Sequence, residues 1–163
     1  MEISYSFVIP VYNRPNEVKE LLSSMGELKF DSPFEVVIVE DGSTVDSAKV
    51  VEEFSDVLNI SYYQKPNSGP GDSRNYGMKR AKGNYFLILD SDVILPPYYL
   101  EEVDKALKSH FVHCFGGPDA AHGSFSPVQK AINYSMTSFL TTGGIRGGKQ
   151  MVGKFQPRSF NMG

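Results

Sequence analysis

The sequence predicts an α/β domain with a central, mostly parallel sheet flanked by helices, and three observations carry that prediction. Apolar runs at residues 5–11, 34–39, 60–64 and 85–89 alternate with segments whose apolar residues recur at helical spacing. Strand and helix alternating at this interval imply βαβ units with right-handed crossovers. The run Tyr85-Phe86-Leu87-Ile88-Leu89 is apolar throughout, as a strand buried on both faces in the middle of a parallel sheet would be. The 163 residues, 40% hydrophobic and 21% charged, suit one soluble globular domain with a sizeable core.

Tyr5 to Val11 forms the first predicted strand, with Pro10 marking where ladder hydrogen bonding stops. Asn13 or Asn16 is placed to cap a helix carrying Val18, Leu21, Leu22 and Met25 on one face. Phe34 to Val39 forms the second strand, ending in Glu40-Asp41-Gly42-Ser43. Ser43 and Asp46 have the spacing of a capping box, which starts a helix there through Ala48, Val51 and Phe54. Ile60 to Gln64 is a shorter third strand, and the turn formers of residues 66–71 lead into a helix near Ser73 to Ala81 that Gly83 ends. After the fourth strand, Pro96 and Pro97 open a helix with Leu100, Val103 and Leu107 inward, and Phe111 to Phe115 forms a further strand in which Cys114 is a small core residue. Ser126-Pro127 starts a last amphipathic helix with Val128, Ile132, Met136 and Phe139 on one face, ended by Gly143. Six glycines between Gly143 and Gly163 leave little periodicity, so order there is expected only with a ligand. No internal repeat or second-domain linker interrupts the pattern.

No window holds the roughly eighteen uninterrupted apolar residues that cross a bilayer, and the first twelve residues lack the pattern of a signal peptide. The single cysteine excludes an internal disulfide framework and fits a reducing compartment, so a cytoplasmic location is expected. Charge is uneven: residues 1–119 carry 11 basic and 19 acidic side chains, whereas residues 120–163 carry five basic ones (Lys130, Arg146, Lys149, Lys154, Arg158) and no Asp or Glu. That basic stretch is either a solvated loop or a surface attracted to phosphate, of a ligand or of anionic lipid, the latter giving peripheral contact with the inner face of a membrane. Nucleic acid is excluded as a partner because most of the chain is acidic and no recognition motif is present. The histidines at 110, 113 and 122 share no metal-ligand spacing.

Polar clusters close three of the strands: Tyr12-Asn13, Glu40-Asp41, and Asp90 with Asp92. In a parallel sheet these ends lie along one edge, where open α/β folds bind ligands. Two carboxylates two residues apart on an extended backbone point the same way and reach one divalent cation or one polar ligand. They repel each other unless a cation or donors compensate.

Residues 5–13, Val39-Glu40-Asp41-Gly42-Ser43, Asn67 through Gly77 with Arg74-Asn75, and Asp90-Ser91-Asp92 together resemble, in order and spacing, the nucleotide-binding half of the family 2 glycosyltransferases with the Rossmann-like GT-A fold. The resemblance is close over residues 4–117 and loose over the remainder, and it implies a donor-binding core over residues 1–117 and the start of an acceptor-side region over 118–163. It implies an inverting transfer of a sugar from a nucleotide-diphosphate donor, most often a UDP-sugar, to a carbohydrate or lipid-linked acceptor hydroxyl in polysaccharide or glycoconjugate synthesis. By the same resemblance Pro10, Tyr12 and Asn13 line the nucleotide, with Tyr12 against the base. Asp41 hydrogen-bonds that base, Arg74 contacts the nucleotide or its phosphates, Asp90 holds the ribose or the sugar, and Asp92 ligates Mn²⁺ or Mg²⁺ bridging the diphosphate. These assignments suit the chemistry of an aromatic face, a carboxylate acceptor, a forked cation and a hard metal. Glu40 stands where the family often has Asp.

The chain departs from the family's pattern at one point. The resemblance places the base that deprotonates the acceptor on a later Asp, and no Asp or Glu follows Asp119. Residues 157–163 resemble the segment that enters the acceptor half. The expectation is a chain that keeps the donor site, lacks the base, and binds a nucleotide-sugar while transferring it slowly or not at all. Two other classes share parts of this pattern: a nucleotidyltransferase, which usually has a glycine-rich basic loop where Pro10-Val11-Tyr12-Asn13 has no glycine, and a non-catalytic nucleotide-binding module.

Overall fold

In the computed structural model, which describes residues 2–116, strand and helix alternate without exception. The order is β1 (Tyr5–Val11), α1 (Pro15–Gly26), β2 (Glu35–Asp41), α2 (Ala48–Glu53), β3 (Ile60–Lys65), α3 (Pro70–Met78), β4 (Tyr85–Ile88) and α4 (Tyr99–Ser109). The four strands form one parallel sheet in the order β3-β2-β1-β4. Strand order reverses beside β1, whose neighbours are β2 and β4, and that switch point is where an open α/β sheet leaves a crevice at its carboxyl edge.

Burial follows the strand pleat. Every residue of β1 and β2 is buried, with Phe7, Val8, Ile9 and Val36 to Val39 wholly inaccessible. Val8, Val37 and Val39 pack on one face with Tyr63, Tyr76, Met78 and Ile88. Gly77 of α3 lies so close there that a Cβ would come within 2.6 Å of Val8 Cγ1, so only glycine lets this helix settle onto the sheet. The opposite face holds Phe7, whose ring meets Phe34 edge-on and Tyr99 at a tilt. α1 buries Val18, Leu21, Leu22 and Met25, as its spacing predicts. α4 buries Leu100 and Leu107, while Val103 is half-buried. The Tyr5 hydroxyl donates to Asp104 at 3.0 Å, tying α4 to the start of β1.

Several expectations need correction. Neither Asn13 nor Asn16 caps α1: the cap residue is Arg14, without a side-chain bond, and Asn16 lies inside the helix. Pro15 at the first helical position needs no capping acceptor, which frees Asn13 for other contacts. Ser43 and Asp46 form no capping box, because α2 begins only at Ala48, whose N–H is accepted by Asp46 two residues back at 3.1 Å. Pro10 does not end the pairing with β2, which runs on to Val11; on the β4 side the registered pairs stop at Val8. β4 is not a central strand among the described residues: it lies at the end of the sheet order, and its residues alternate between buried and half-buried.

Phe111 to Phe115 is no strand either. Phe111 is exposed, packing edge-on against Tyr85 and His113, and Cys114 is exposed rather than in the core. The helix expected from Ser126 and the glycine-rich stretch after Gly143 lie outside the described residues.

Candidate functional site

At the carboxyl edge the sheet delivers the ends of β1, β2 and β3 side by side, with β4 next to β1. Asn13 leaves β1 with φ +54°, a left-handed backbone that asparagine tolerates better than most residues. Its side-chain oxygen accepts from the N–H groups of Thr44 (2.8 Å) and Val45 (3.0 Å), and its own N–H donates to Ser43 Oγ at 2.8 Å. Asn13 therefore laces the loop after β2 to the end of β1. Tyr12, just before it, is 52% exposed and presents a free aromatic surface at this edge.

The paired acids at the end of β2 have different environments. Glu40 is buried and accepts from Ser43 Oγ, Ser47 N–H (3.0 Å) and the Tyr62 hydroxyl (3.0 Å), so it holds the loop together from inside. Burial, and secondarily the charge of Glu40, pushes the Tyr62 phenol up to about 12. Asp41 accepts from Lys65 Nζ and Ser68 N–H (2.9 Å) on Oδ1, and from Gly69 N–H (2.8 Å) on Oδ2. Burial pushes the Asp41 carboxyl up, but Lys65 and the two N–H groups outweigh it and hold the carboxyl below its ordinary range. Lys65 is likewise pushed down by burial and more strongly up by Asp41 and Asp72. Gly42 follows with φ +71°, and a Cβ there would press within 2.6 Å of Asn67 N, so the loop after β3 folds directly over this turn.

Arg74 of α3 and Asp90 after β4 form an ion pair at 2.7 Å, with the arginine largely buried and its Nε–H buried without a hydrogen-bond partner. Asp92 is more open, 57% exposed, and meets Arg14 at 3.5 Å. The backbone between these two aspartates is not extended as the spacing suggests: β4 ends at Ile88, and Ser91 and Asp92 form a turn. Each carboxylate therefore has its own arginine, on different elements.

The structure thus brings predicted residues together pairwise, Asn13 with the loop after Asp41 and Arg74 with Asp90, and sets Tyr12 and Asp92 exposed at the same edge. Sequence reasoning missed Lys65, Ser68 and Arg14. The signal for Lys65 lies in the strand register, since Asp41 and Lys65 are opposed partners of β2 and β3. Among the described residues no three His, Cys, Asp or Glu side chains are grouped to hold a metal alone. A hard cation at Asp92 would need ligand oxygens from a bound molecule, and magnesium commonly takes one or two carboxylates plus substrate phosphates. The exposed oxygens of Asp92 fit that arrangement.

The sequence profile described as Glycosyl transferase family 2 matches residues 6–159. The chain belongs to that family. Its relatives include poly(ribitol-phosphate) beta-N-acetylglucosaminyltransferase TarS of Staphylococcus aureus, 32% identical over 111 residues, which are 66% of this chain and 19% of TarS. Chondroitin synthase of Escherichia coli is 35% identical over 104 residues, 63% of this chain and 15% of that protein. The chain thus matches less than a fifth of the length of either relative. The crystal structure of S. aureus TarS 1-349 with UDP-GlcNAc superposes with a TM-score of 0.66 and 30% identity, covering 77% of this chain and 37% of that one. A mannosyltransferase of Pyrobaculum calidifontis, with GDP-Man and Mn²⁺, shares the fold at a TM-score of 0.60 and 21% identity, covering 74% of this chain and 36% of its own. The architecture is the Rossmann-like GT-A fold. No helix among the described residues is long and apolar enough to cross a membrane.

Proposed function

We propose that this chain holds the nucleotide-diphosphate donor of an inverting glycosyl transfer, a UDP-sugar, at the carboxyl edge of its sheet. The observation that carries the reading is the Arg74–Asp90 pair at 2.7 Å: a largely buried guanidinium at the switch point of a family 2 glycosyltransferase, beside exposed Tyr12 and Asp92. Two of the TarS structures that match this fold are complexes, one with UDP and one with UDP-GlcNAc.

In this reading Tyr12 stacks on the base, Pro10 and Asn13 shape the wall beneath it, and Asp41 accepts from a base N–H. Arg74 turns its guanidinium to the nucleotide or its phosphates, and Asp90 accepts from ribose or sugar hydroxyls. Asp92 would hold Mn²⁺ or Mg²⁺. A bound cation there would neutralise, as a Lewis acid, the charge that develops on the leaving diphosphate. The guanidinium of Arg74 adds to that neutralisation. Direct attack by an acceptor hydroxyl inverts the anomeric centre and needs a carboxylate to take its proton. Residues 120–163 carry no Asp or Glu to serve as that base. The proposed acceptor is a carbohydrate or lipid-linked hydroxyl in polysaccharide or glycoconjugate synthesis, and the five basic residues after position 120 favour peripheral contact with an anionic membrane face.

Calorimetry with UDP, GDP and CTP, each with and without Mn²⁺, tests the reading. UDP binding that requires the metal and falls at least about tenfold in Asp92→Ala, a loss of about 1.4 kcal/mol, is the expected result. Metal-independent binding, or a preference for CTP over UDP, contradicts it.

A further inference from the structure

Of the two aspartates that follow β4, Asp92 has the looser partner. Arg74 holds Asp90 at 2.7 Å and is largely buried, whereas Arg14 Nη1 meets Asp92 Oδ2 at 3.5 Å, with 49% and 57% of the two side chains exposed. The same Nη1 lies 3.5 Å from Glu17 Oε1 in the first turn of α1. The backbone of Arg14 is anchored, since it precedes Pro15 at the helix start and its carbonyl accepts from Val18 N–H at 3.0 Å, but its side chain caps nothing. One guanidinium nitrogen therefore stands between two carboxylates, and it can leave Asp92 while keeping Glu17.

We propose that Arg14 is a positioning residue that couples the divalent cation to the nucleotide: it pairs with Asp92 while the donor is absent and passes to the diphosphate when a nucleotide arrives. This rests on the donor reading above. Arg14 has to give up Asp92 before that carboxylate can hold a cation. Without a nucleotide, its alternative among the described residues is Glu17, an exposed neighbour on the same helix, and exchanging one such exposed pair for another gains little. A diphosphate at the same edge offers an anion whose oxygens suit the guanidinium fork, so its arrival draws Arg14 away and frees Asp92. Cation and nucleotide then each favour the binding of the other, by the same factor. Arg74 is a poorer candidate for such an exchange, because its pair with Asp90 is short and largely enclosed.

The test is the factor by which UDP tightens Mn²⁺ binding. Mn²⁺ is titrated against the chain with and without UDP, free Mn²⁺ is read by electron paramagnetic resonance, and the Mn²⁺ held by UDP in solution is subtracted. The unsubstituted chain, Arg14→Gln and Arg14→Lys are compared, with circular dichroism confirming each fold. The proposal expects Arg14→Gln to tighten Mn²⁺ binding to the nucleotide-free chain about threefold and to lower the coupling factor about tenfold, with Arg14→Lys restoring most of it. A general effect of removing one positive charge would tighten Mn²⁺ equally with and without UDP. That result, or an unchanged Mn²⁺ affinity in the nucleotide-free chain, overturns the proposal. If Arg14→Gln does not fold, Glu17→Gln carries the test with the opposite sign: Arg14, deprived of its alternative, stays on Asp92, so the coupling factor rises, and an unchanged factor overturns the proposal. Failure of the unsubstituted chain to bind UDP at all would refute the donor reading and the coupling with it; the Mn²⁺ titration without nucleotide tells the two failures apart.

Discussion

Strand β2 begins and ends on a buried carboxylate, and the two ends show how a structural acid differs from a functional one. Glu35, at the amino edge, is satisfied by neutral donors alone: Ser6 Oγ at 2.7 Å, Lys82 N–H at 2.8 Å and Ser61 Oγ at 3.3 Å. It joins the starts of β1, β2 and β3 to the turn before β4. Asp41, at the carboxyl edge, has an ammonium as partner, two loop N–H groups holding a segment over it, and an exposed ring and an open carboxylate at the same edge. Burial is the same at both ends. What separates them is whether the network is closed or continues into groups left available to a ligand.

The largest separation between the two ends is expected from Glu35→Ala. Ser6, Ser61 and the Lys82 N–H lose their acceptor, at about 1–3 kcal/mol for each buried donor left unsatisfied, and chemical denaturation should show the loss while nucleotide affinity in the folded fraction stays unchanged. A variant that keeps its stability but loses nucleotide binding would erase the distinction. The converse change, Tyr12→Ala, is expected to move stability by less than about 0.5 kcal/mol, since the side chain is exposed, and to weaken UDP binding by the about 1–3 kcal/mol of a lost base–aromatic stack. Fluorescence or calorimetric titration reads the second number, and an unchanged Kd would remove Tyr12 from the site.

Much of this was legible without coordinates because it rests on local pattern. β1 lies at Tyr5–Val11 as its apolar run dictates, α1 buries the four residues its spacing selects, and the strand-helix alternation yields the parallel sheet. The details that depend on contacts distant in sequence were not legible. Asn13 has the composition of a helix cap, yet its acceptor is taken by Thr44 and Val45, about thirty positions away. Asp90 and Asp92 have the spacing of side chains on one strand face, but β4 stops at Ile88 and the turn at Ser91 sends them to different arginines. Lys65 becomes visible only once β3 is placed in register with β2, opposite Asp41. Phe111 to Phe115 shows the reverse error, an apolar run that sequence alone reads as a strand and in which Phe111 and Cys114 are exposed.

The proposed donor site lies at the carboxyl edge around β1 and β4, and the amino edge supplies a natural control. A groove there, lined by Ser4, Phe30, Pro33, Tyr85, Leu107 and Phe111, offers an apolar alternative for a planar ligand. A crystal structure of the chain with UDP and Mn²⁺ decides between them. The donor reading predicts uracil against Tyr12 within reach of Asp41, and the diphosphate beside Arg74 and Asp92; nucleotide density in the amino-edge groove, with Tyr12 and Asp92 untouched, would contradict it.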